Sequence, residues 1–372
     1  MSLPTLFLVG VTHRTAPLEF REQLALGAEK EPALAAELTR LRSVTEFAIL
    51  NTCNRVEIYG VATDPAASRQ VSAAFCTLRG VEPAAFARFG FELQGRAAVD
   101  HLLQVAAGLD SQILGETEIF GQVKRAYATA QSRQSAGPVL NRLFQKAFQA
   151  AKHVRTNTGV TTGQVSIANV AVDLALTVFG DVREAWVLLI GAGEMGEKSA
   201  RAFQSRGARH LQVTNRHFER AAALAQTLGA EALPFEDRED RLAQADIVVC
   251  FTSSPTTVVS LGGVQRAMAA RKSRPLLLID LAMPRDVDAA VAGLENVFLY
   301  NLDDLAKIAA TNRRARSAEA EAGRLALTPR IDALWGVLQT QLSMPPDSGR
   351  GADEESLFRP APGTSRAVPH FA

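Results

Sequence analysis

The feature that most constrains the fold of this chain is a glycine-rich turn that joins an apolar segment to a helical one. Residues 185–190 are apolar, and Gly191-Ala-Gly193-Glu-Met-Gly196 follows them directly in the G-x-G-x-x-G pattern. Glycines in such a turn allow backbone N–H groups to approach a pyrophosphate at the start of a helix. The pattern therefore predicts a dinucleotide-binding site.

The sequence around this turn alternates between apolar and helical segments across residues 158–300. Strands are predicted at 185–190, 210–214, 245–251 and 275–281, and helices at 194–206 and 217–228. This alternation is typical of a parallel doubly wound sheet, so we expect a Rossmann-like domain here.

The end of the second predicted strand indicates which dinucleotide is bound. An NAD site usually carries an acidic residue there to hold the ribose 2′-hydroxyl, but this chain has Asn215 and Arg216. A guanidinium matches a 2′-phosphate, which favours NADP(H); the alternative is that Arg216 only faces solvent. The predicted cofactor-binding residues are Gly191, Ala192, Gly193, Glu194, Met195, Gly196, Asn215 and Arg216.

The preceding residues, 1–157, have a mixed pattern that predicts an α+β domain. Short strands are expected near 6–11, 46–50 and 56–59, helices with one more strand in 66–110, and helices over 116–157 with a break at Gly137-Pro138. The 372 residues suggest two or three domains at about 150 residues each. The predicted fold class is thus multidomain α/β.

Cys53 is the candidate nucleophile, because it lies in a polar connector between two predicted strands. Its neighbours Thr52, Asn54 and Arg55 carry groups that favour a thiolate. A thiolate can attack an activated acyl group to form a thioester, which a reduced nicotinamide can reduce to an aldehyde. Cys76 and Cys250 lie in apolar contexts and are expected in cores.

Charge excludes a strong global attraction to nucleic acids or membranes, since 40 Lys and Arg oppose 39 Asp and Glu. Locally, residues 119–172 contain no Asp or Glu, and this stretch is either a solvated helix pair or a surface for phosphates. An odd number of cysteines, three, favours a reducing, cytoplasmic location. No apolar run reaches the roughly 18 residues of a membrane span. No metal site is predicted.

The sequence of the C-terminal part predicts a long helix followed by a short amphipathic helix. Residues 303–328 are helical in pattern with a polar middle, typical of a helix that crosses solvent between domains. After Pro329, an apolar stripe needs a partner surface; it comprises Ile331, Leu334, Trp335, Leu338 and Leu342. Residues 344–372, rich in Pro, Gly and Ser, are expected to be disordered.

Several blocks of sequence together resemble the glutamyl-tRNA reductase family. They are Gly10-Val-Thr-His-Arg-Thr-Ala-Pro17, Leu50-Asn-Thr-Cys-Asn-Arg-Val-Glu-Ile-Tyr59, His101-Leu through Gly108-Leu-Asp-Ser-Gln-Ile-Leu-Gly-Glu116, Gly121-Gln-Val-Lys124, Arg155-Thr-Asn-Thr-Gly159, the glycine-rich turn, and Asp280-Leu-Ala-Met-Pro-Arg-Asp286. The resemblance covers about residues 5 to 325. Its most specific blocks are Thr-Cys-Asn-Arg and Gly-Leu-Asp-Ser.

The resemblance implies that Cys53 attacks glutamyl-tRNA(Glu) and that NADPH reduces the thioester to glutamate-1-semialdehyde, the first step of tetrapyrrole synthesis. It implies a functional role for His101, in proton transfer. The implied substrate-binding residues are Thr52, Asn54, Arg55, Ser111, Glu116, Thr117, Glu118 and Gln122. We expect Arg55 to meet the substrate carboxylate, and Glu116 its α-ammonium group.

The resemblance also implies an architecture and partners. It divides the chain into a catalytic domain (1–157), an NADPH domain (158–300), a spinal helix with a shortened dimerisation region (301–343) and the tail. The basic stretch 124–155 becomes a candidate tRNA surface, and an aminomutase a candidate partner that receives the aldehyde. A homodimer is expected only with a reduced interface, because little sequence remains for the dimerisation bundle.

Two departures leave alternatives open. Asn51 replaces the usual Ser, and Glu118 stands where the family usually has Gln, either pointing away from substrate or pairing with Arg125. One alternative is a small-molecule NADP dehydrogenase of the shikimate type, which would not need Cys53. Another is a catalytically weakened, tRNA-binding or regulatory relative.

Overall fold

Two β-sheets organise the chain in the structure, which is a computed structural model describing residues 3–112, 118–158, 166–311 and 317–343. The first sheet is antiparallel and comes from the N-terminal third of the chain, and the second is parallel and comes from the middle. The predicted mixed α/β fold is confirmed.

The first sheet has the strand order β2-β3-β1-β4. Its strands are β1 (Thr5–Thr12), β2 (Val44–Asn51), β3 (Arg55–Ala62) and β4 (Phe91–Gln94). Because side chains alternate along a strand, Leu6 and Leu8 of β1 enter one core while Phe7 and Val9 enter the core on the opposite face. Both faces of this sheet are therefore covered by helices.

The helices on these faces follow the predicted order. One face packs against α1 (Leu18–Leu24), α2 (Lys30–Arg40), α3 (Ala67–Arg79) and α4 (Pro83–Phe89). The other packs against α5 (Arg96–Ala107), α6 (Glu118–Ser132) and α7 (Pro138–Asn157). The expected break at Gly137-Pro138 is confirmed, since α7 begins at the proline. We call β1–β4 with α1–α7 the N-terminal lobe.

The second sheet is parallel, with the order β10-β9-β8-β5-β6-β7. Its strands are β5 (Trp186–Ile190), β6 (His210–Thr214), β7 (Glu231–Leu233), β8 (Ile247–Cys250), β9 (Leu276–Asp280) and β10 (Val297–Asn301). Its helices are α8 (Ile167–Phe179), α9 (Glu194–Ser205), α10 (Phe218–Leu228), α11 (Arg238–Arg241), α12 (Leu261–Arg271) and α13 (Leu302–Thr311). We call β5–β10 with α8–α13 the Rossmann-like lobe.

The strand order of this lobe reverses beside β5. The chain moves from β5 to β6 and β7 on one side, and then crosses to β8, β9 and β10 on the other. Ligands of such sheets bind outside the carboxyl ends of the strands at this reversal. The fold therefore places the glycine-rich turn, which follows β5, at the edge of a crevice.

The C-terminal helix differs from the prediction. The structure has α13 ending at Thr311 and a further helix, α14 (Ser317–Ser343), that continues through Pro329. Its buried apolar side chains, Leu327, Ile331, Leu334, Leu338 and Leu342, belong to the same core as α5 and α7 of the N-terminal lobe. Burial of this stripe offsets the roughly 3 kcal/mol that a proline costs inside a helix.

The apolar stripe predicted after Pro329 does have a partner surface, which is the chain's own N-terminal lobe. The solvent-crossing helix predicted over 303–328 lies partly outside the described residues and stays a prediction. The predicted disordered tail, 344–372, lies outside the described residues. Within the described ranges, no helix combines the length and apolar character that a membrane span requires.

Candidate active site

Cys53 lies in the short turn that connects β2 to β3. The hydroxyl of Thr52 accepts hydrogen bonds from the N–H groups of Asn54 (3.1 Å) and Arg55 (3.2 Å), which closes the turn. The Asn54 carbonyl accepts a third from the N–H of His13 at 2.9 Å. These bonds fix the backbone on both sides of Cys53, whose half-buried side chain packs against the core of the Rossmann-like lobe.

A buried network of charges lies beneath this turn. The Arg55 guanidinium donates to Glu57 Oε1 at 2.7 Å and to Asp110 Oδ2 at 3.1 Å. His101 Nε2 lies 2.8 Å from the same Glu57 oxygen, and the Tyr59 hydroxyl donates to the other at 2.7 Å. Burial alone would raise the pKa of Glu57, but His101 and Arg55 outweigh it and lower that pKa to about 2.

This network occupies the side chains of two residues that were predicted to act on the substrate, Arg55 and His101. Arg55 is 2% exposed and already holds two carboxylates, so a substrate carboxylate would have to displace one of them. His101 contacts Glu57 and does not line the cleft beside Cys53. His101 therefore lies behind the turn, while Arg55 supports the turn and also reaches the wall of the cleft. The role of His101 in proton transfer stays a prediction.

A cleft of about 230 Å³ opens beside Cys53 between the two lobes. Of the predicted residues, the cleft is lined by Thr52, Cys53, Asn54, Arg55, Ser111, Glu118 and Gln122, together with Glu194 and Met195. The last two were predicted to bind the cofactor; they lie at the start of α9 and face the Cys53 side of the glycine-rich turn. Glu116 and Thr117 lie outside the described residues.

Ser111 is the clearest polar group offered to a ligand in this cleft. The residue is 4% exposed, and its hydroxyl is buried with no hydrogen-bond partner among the parts of the chain that the structure describes. A buried hydroxyl without a partner loses the free energy of hydration, so a ligand group in the cleft would restore it.

Glu118 does not pair with Arg125, contrary to one expectation from the sequence. Its carboxylate lies 2.8 Å from Lys198 Nζ, which also lies 2.9 Å from Glu194 of the same helix, α9. Arg125 instead lies 3.7 Å from Glu194. The sequence pattern could not show this, because α6 and α9 face each other only when the two lobes meet.

A second crevice, of about 290 Å³, lies at the carboxyl ends of β5, β6 and β8. It is lined by Gly191, Ala192, Gly193, Asn215 and Arg216 of the predicted set. It is also lined by residues that the sequence analysis missed, namely His217, Arg220, Phe235, Phe251, Thr252, Ser253, Ser254 and Val258. The run of small polar residues directly after an apolar strand, 252–254, was the available signal.

The glycines of the turn fit a dinucleotide for separate reasons. Gly191 has φ +119°, in the region that favours glycine. A Cβ on Gly196 would lie 2.3 Å from the Phe251 ring, so this glycine permits close packing and does not line the crevice. A Cβ on Gly193 would meet no described atom within 4 Å and would point into open space. That space is the cradle a pyrophosphate would fill.

Comparisons with known proteins match the N-terminal lobe and the Rossmann-like lobe to two different family models. The family model described as glutamyl-tRNAGlu reductase, N-terminal domain, matches residues 9–158, and the one described as shikimate / quinate 5-dehydrogenase matches 173–308. A "Glutamyl-tRNA reductase" of Magnetococcus marinus is 44% identical over 318 residues, covering 85% of this chain and 76% of the relative. One of Nitrosococcus oceani is 38% identical over 341 residues, covering 91% and 81%.

The chain belongs to the glutamyl-tRNA reductase family. A solved structure, "Glutamyl-tRNA Reductase from Methanopyrus kandleri", is 33% identical and covers 91% of this chain and 80% of its own, with a TM-score of 0.47. The predicted family and the predicted enzyme class are confirmed. As a glutamyl-tRNA reductase with a shikimate-dehydrogenase-like region, the chain binds a nicotinamide cofactor.

Proposed function

We propose that a thioester on Cys53 carries the glutamyl group in the reaction of this glutamyl-tRNA reductase. The enzyme reduces glutamyl-tRNA to glutamate-1-semialdehyde, the first step of tetrapyrrole synthesis. The observation that carries the proposal is the position of Cys53, which lines the interlobe cleft together with Glu194 and Met195 at the start of α9. A group bound to its sulfur is thereby next to the turn that holds the cofactor.

In the first step, the Cys53 sulfur attacks the ester carbonyl of glutamyl-tRNA. A carbon–sulfur bond forms, the carbon–oxygen bond to the terminal ribose breaks, and the proton lost by the Cys53 thiol is taken up by the released ribose oxygen. The hydrogen bonds of Thr52 hold the turn so that this sulfur faces the cleft. Bound NADPH supplies the hydride that turns the thioester into the aldehyde.

The substrate-binding role remains proposed for Thr52, Asn54, Arg55, Ser111, Glu116, Thr117, Glu118 and Gln122. The unpartnered Ser111 hydroxyl supports it for Ser111. Arg55 supports it less directly, since its charge is neutralised by Glu57 and Asp110. Arg125, which also lines the cleft, is 65% exposed at its side chain and is more accessible to a carboxylate.

The proposed nicotinamide cofactor is NADPH in particular. Arg216 lines the crevice and donates to the Ser254 hydroxyl at 3.5 Å, with Arg220 close by on the same wall. Two guanidinium groups without an acidic residue in the lining fit a 2′-phosphate better than a free 2′-hydroxyl. The cofactor-binding set proposed here remains 191–196, Asn215 and Arg216.

Several partner assignments belong to the same proposal. The cationic side of α6 and α7 would contact the tRNA, and an aminomutase would receive the semialdehyde. A homodimer would use surfaces other than the apolar side of α14, which is buried. In light scattering, a mass near 39.9 kDa would indicate a monomer, and twice that mass a dimer. A cytoplasmic location and the domain boundaries at 157, 300 and 343 also stay predictions.

The test is to incubate the protein with glutamyl-tRNA and NADPH, with and without ribonuclease pretreatment of the tRNA. Ribonuclease-sensitive NADPH oxidation is the expected result. Ribonuclease-insensitive NADPH oxidation, coupled to reduction of an added free keto acid, would favour a shikimate-type dehydrogenase. Binding of tRNA without NADPH oxidation would favour a catalytically weakened relative. NADH used as well as NADPH would reject the role of Arg216.

The variant Cys53→Ser gives a sharper result. We expect it to lose reductase activity, by on the order of 1,000-fold or more, because serine is a much poorer nucleophile at neutral pH. NADPH binding, measured by fluorescence, should be unchanged. In the wild-type protein without NADPH, mass spectrometry should find the glutamyl adduct at Cys53, and Cys76→Ser should retain it. An adduct at another residue would refute the thioester proposal.

A further inference from the structure

A single buried arginine connects the nucleophile turn to the Rossmann-like lobe. Arg21 of α1 is 4% exposed. Its Nη1 donates to the Cys53 carbonyl at 3.4 Å and to Asn54 Oδ1 at 3.2 Å. Its Nη2 donates to both carboxylate oxygens of Asp303, each at 2.6 Å. One planar guanidinium therefore holds the turn with one nitrogen and the other lobe with the second.

Asp303 receives a second bond from the substrate side of the cleft. It lies in the first turn of α13, directly after β10, and its Oδ1 also accepts from Gln112 Nε2 at 2.8 Å. Gln112 follows Ser111 and lines the same cleft. The Asn301 side chain accepts the N–H of Asp303 at 2.9 Å, which fixes the start of the helix. The Asp303 carboxylate thus holds two parts of the N-terminal lobe that line the cleft: the Cys53 turn, through Arg21, and the segment that contains Ser111, through Gln112.

This ion pair is poorly explained by stability alone. Its side chains are 3% and 25% exposed, and a buried pair of this kind contributes little net stability relative to apolar residues. What it does supply is a fixed distance between two lobes. Cys53 belongs to one lobe and the dinucleotide crevice to the other, so the thioester carbonyl meets the nicotinamide only if the lobes keep one alignment.

We propose that Asp303 is a positioning residue for hydride transfer, acting through Arg21 and Gln112 to align Cys53 with the Rossmann-like lobe. The inference rests on the proposed Cys53 thioester. That thioester has two fates. Hydride addition to its carbonyl carbon breaks the carbon–sulfur bond and gives the aldehyde, a Cys53 thiolate and NADP⁺. Attack by water gives glutamate and the same thiolate, without oxidation or reduction. Asp303 favours hydride addition over hydrolysis, because it keeps the thioester aligned with the cofactor crevice.

The test compares the two fates in Asp303→Asn, which keeps the size of the side chain and removes its charge. We expect semialdehyde formation to fall about 10- to 100-fold, the cost typical of a misplaced reacting group. Release of tRNA from glutamyl-tRNA in the absence of NADPH should stay near the wild-type rate, because the turn that holds Cys53 is closed by the hydrogen bonds of Thr52, which do not involve Asp303. The dissociation constant of NADPH should also stay unchanged.

Two further variants keep the result interpretable. Asp304→Asn is the matched control, because among the described contacts the Asp304 carboxylate accepts only from the N–H of Asn301 and from Lys307. It should keep the wild-type ratio of semialdehyde to glutamate. Arg21→Lys keeps the charge but lacks the fork that reaches both lobes, so it should lower that ratio as Asp303→Asn does.

Equal losses of tRNA release and semialdehyde formation in Asp303→Asn would overturn the proposal, since they would indicate a general structural defect. A wild-type ratio in Arg21→Lys would also overturn it. If the wild-type protein itself released no tRNA without NADPH and gave no adduct at Cys53, the thioester proposal would fail instead, so the two failures are distinguishable.

Discussion

At the residue scale, the site depends on how each polar side chain near Cys53 is already used. The sequence placed Thr52, Cys53, Asn54 and Arg55 in one connector, and the structure shows that they have different tasks. Thr52 closes the turn, and Arg55 is held by two carboxylates below it. Residue type and spacing pointed to the connector 52–55, and the family resemblance pointed to Ser111, Glu118 and Gln122, which line the same cleft. Neither could predict the contact of Arg55 with Asp110, because these two residues are 55 positions apart.

Gly193 provides a test at this scale. A valine there would extend into the open space of the crevice without meeting a described protein atom within 4 Å. We therefore expect Gly193→Val to fold normally and to bind NADPH on the order of 100-fold more weakly, about 2.8 kcal/mol. Cleavage of glutamyl-tRNA should persist. Gly196→Ala is the contrasting variant, since its Cβ would collide with Phe251 and lower the thermal stability. Lost ester cleavage in Gly193→Val would show that the two steps are not separable.

The raised pKa of the buried Asp280 side chain predicts that the stability of the fold depends on pH. Burial raises its pKa to about 7, and the nearby Asp286 has a pKa raised to about 6 for the same reason. The folded state thus holds a proton that the unfolded chain releases near pH 4. Its stabilising contribution is complete below that pH and is lost as the pH rises through about 7.

Urea unfolding of Asp280→Asn at two pH values checks this. The variant also loses an acceptor for the N–H of Ala282 or Val287, so it should be less stable than wild type throughout. Because Asn does not ionise, its deficit should be smaller at pH 8 than at pH 5, by on the order of 2 kcal/mol. Equal deficits at both pH values would contradict the raised pKa.

At the element scale, periodicity predicted most helices and strands but not their partners. The apolar spacing of α6 and α7 and the glycine-proline break between them were readable from the sequence. Two short edge strands, β7 and β10, were not, because most of their residues are only partly buried and they lack the continuous apolar run of the central strands. Pro329 was read as a helix end. The packing of α14 on α5 and α7, invisible in the local pattern, outweighs the proline.

The packing of α14 yields a direct prediction. Leu338 is fully buried in the core of the N-terminal lobe, so Leu338→Ala should lower the free energy of unfolding by about 2–5 kcal/mol. Val337, the next residue, is 39% exposed, and Val337→Ala should change it by no more than about 0.5 kcal/mol. Chemical denaturation of the two variants measures the difference. Similar values would mean that α14 does not pack as described.

At the scale of the whole molecule, the two lobes are joined by charged contacts between distant residues. Glu22 of α1 accepts from Arg285 at 2.8 Å, beside the Arg21–Asp303 pair, and Lys198 reaches Glu118 across the cleft. The N-terminal lobe contributes the proposed nucleophile and the Rossmann-like lobe the proposed cofactor crevice. Under that proposal, function depends on the alignment of the lobes as much as on either lobe.

The proposed tRNA surface is also a property of the whole molecule. Several of its cations are already engaged: Arg133 lies 3.2 Å from Glu31, and Lys124 lies over the Phe120 ring at 4.5 Å. Lys124 and Lys152 are exposed. Replacing both with Gln should weaken tRNA binding and reduce the salt dependence of its affinity, by about 0.7–0.9 in the log–log slope for each lost phosphate contact.

Filter binding of tRNA across a range of salt concentrations measures this slope. Lys307→Gln is the control, because Lys307 is equally cationic, has a side chain that is 79% exposed, and belongs to α13, not to the proposed surface on α6 and α7. The control should leave the slope unchanged. If the variant with Gln at both Lys124 and Lys152 gave the same slope as wild type, the surface on α6 and α7 would not contact tRNA.

The sequence by itself determined the features that depend on near neighbours along the chain. These are the strand–turn–helix around Gly191, the position of Cys53 between two strands, and the alternation that builds the parallel sheet. Only the tertiary structure decided the contact of Arg55 with Asp110, the pairing of Glu118 with Lys198, the bridge from Arg21 to Asp303 and the surface that covers α14. The physical reason is that hydrogen bonds and burial act between groups close in space, and these groups are far apart in the sequence.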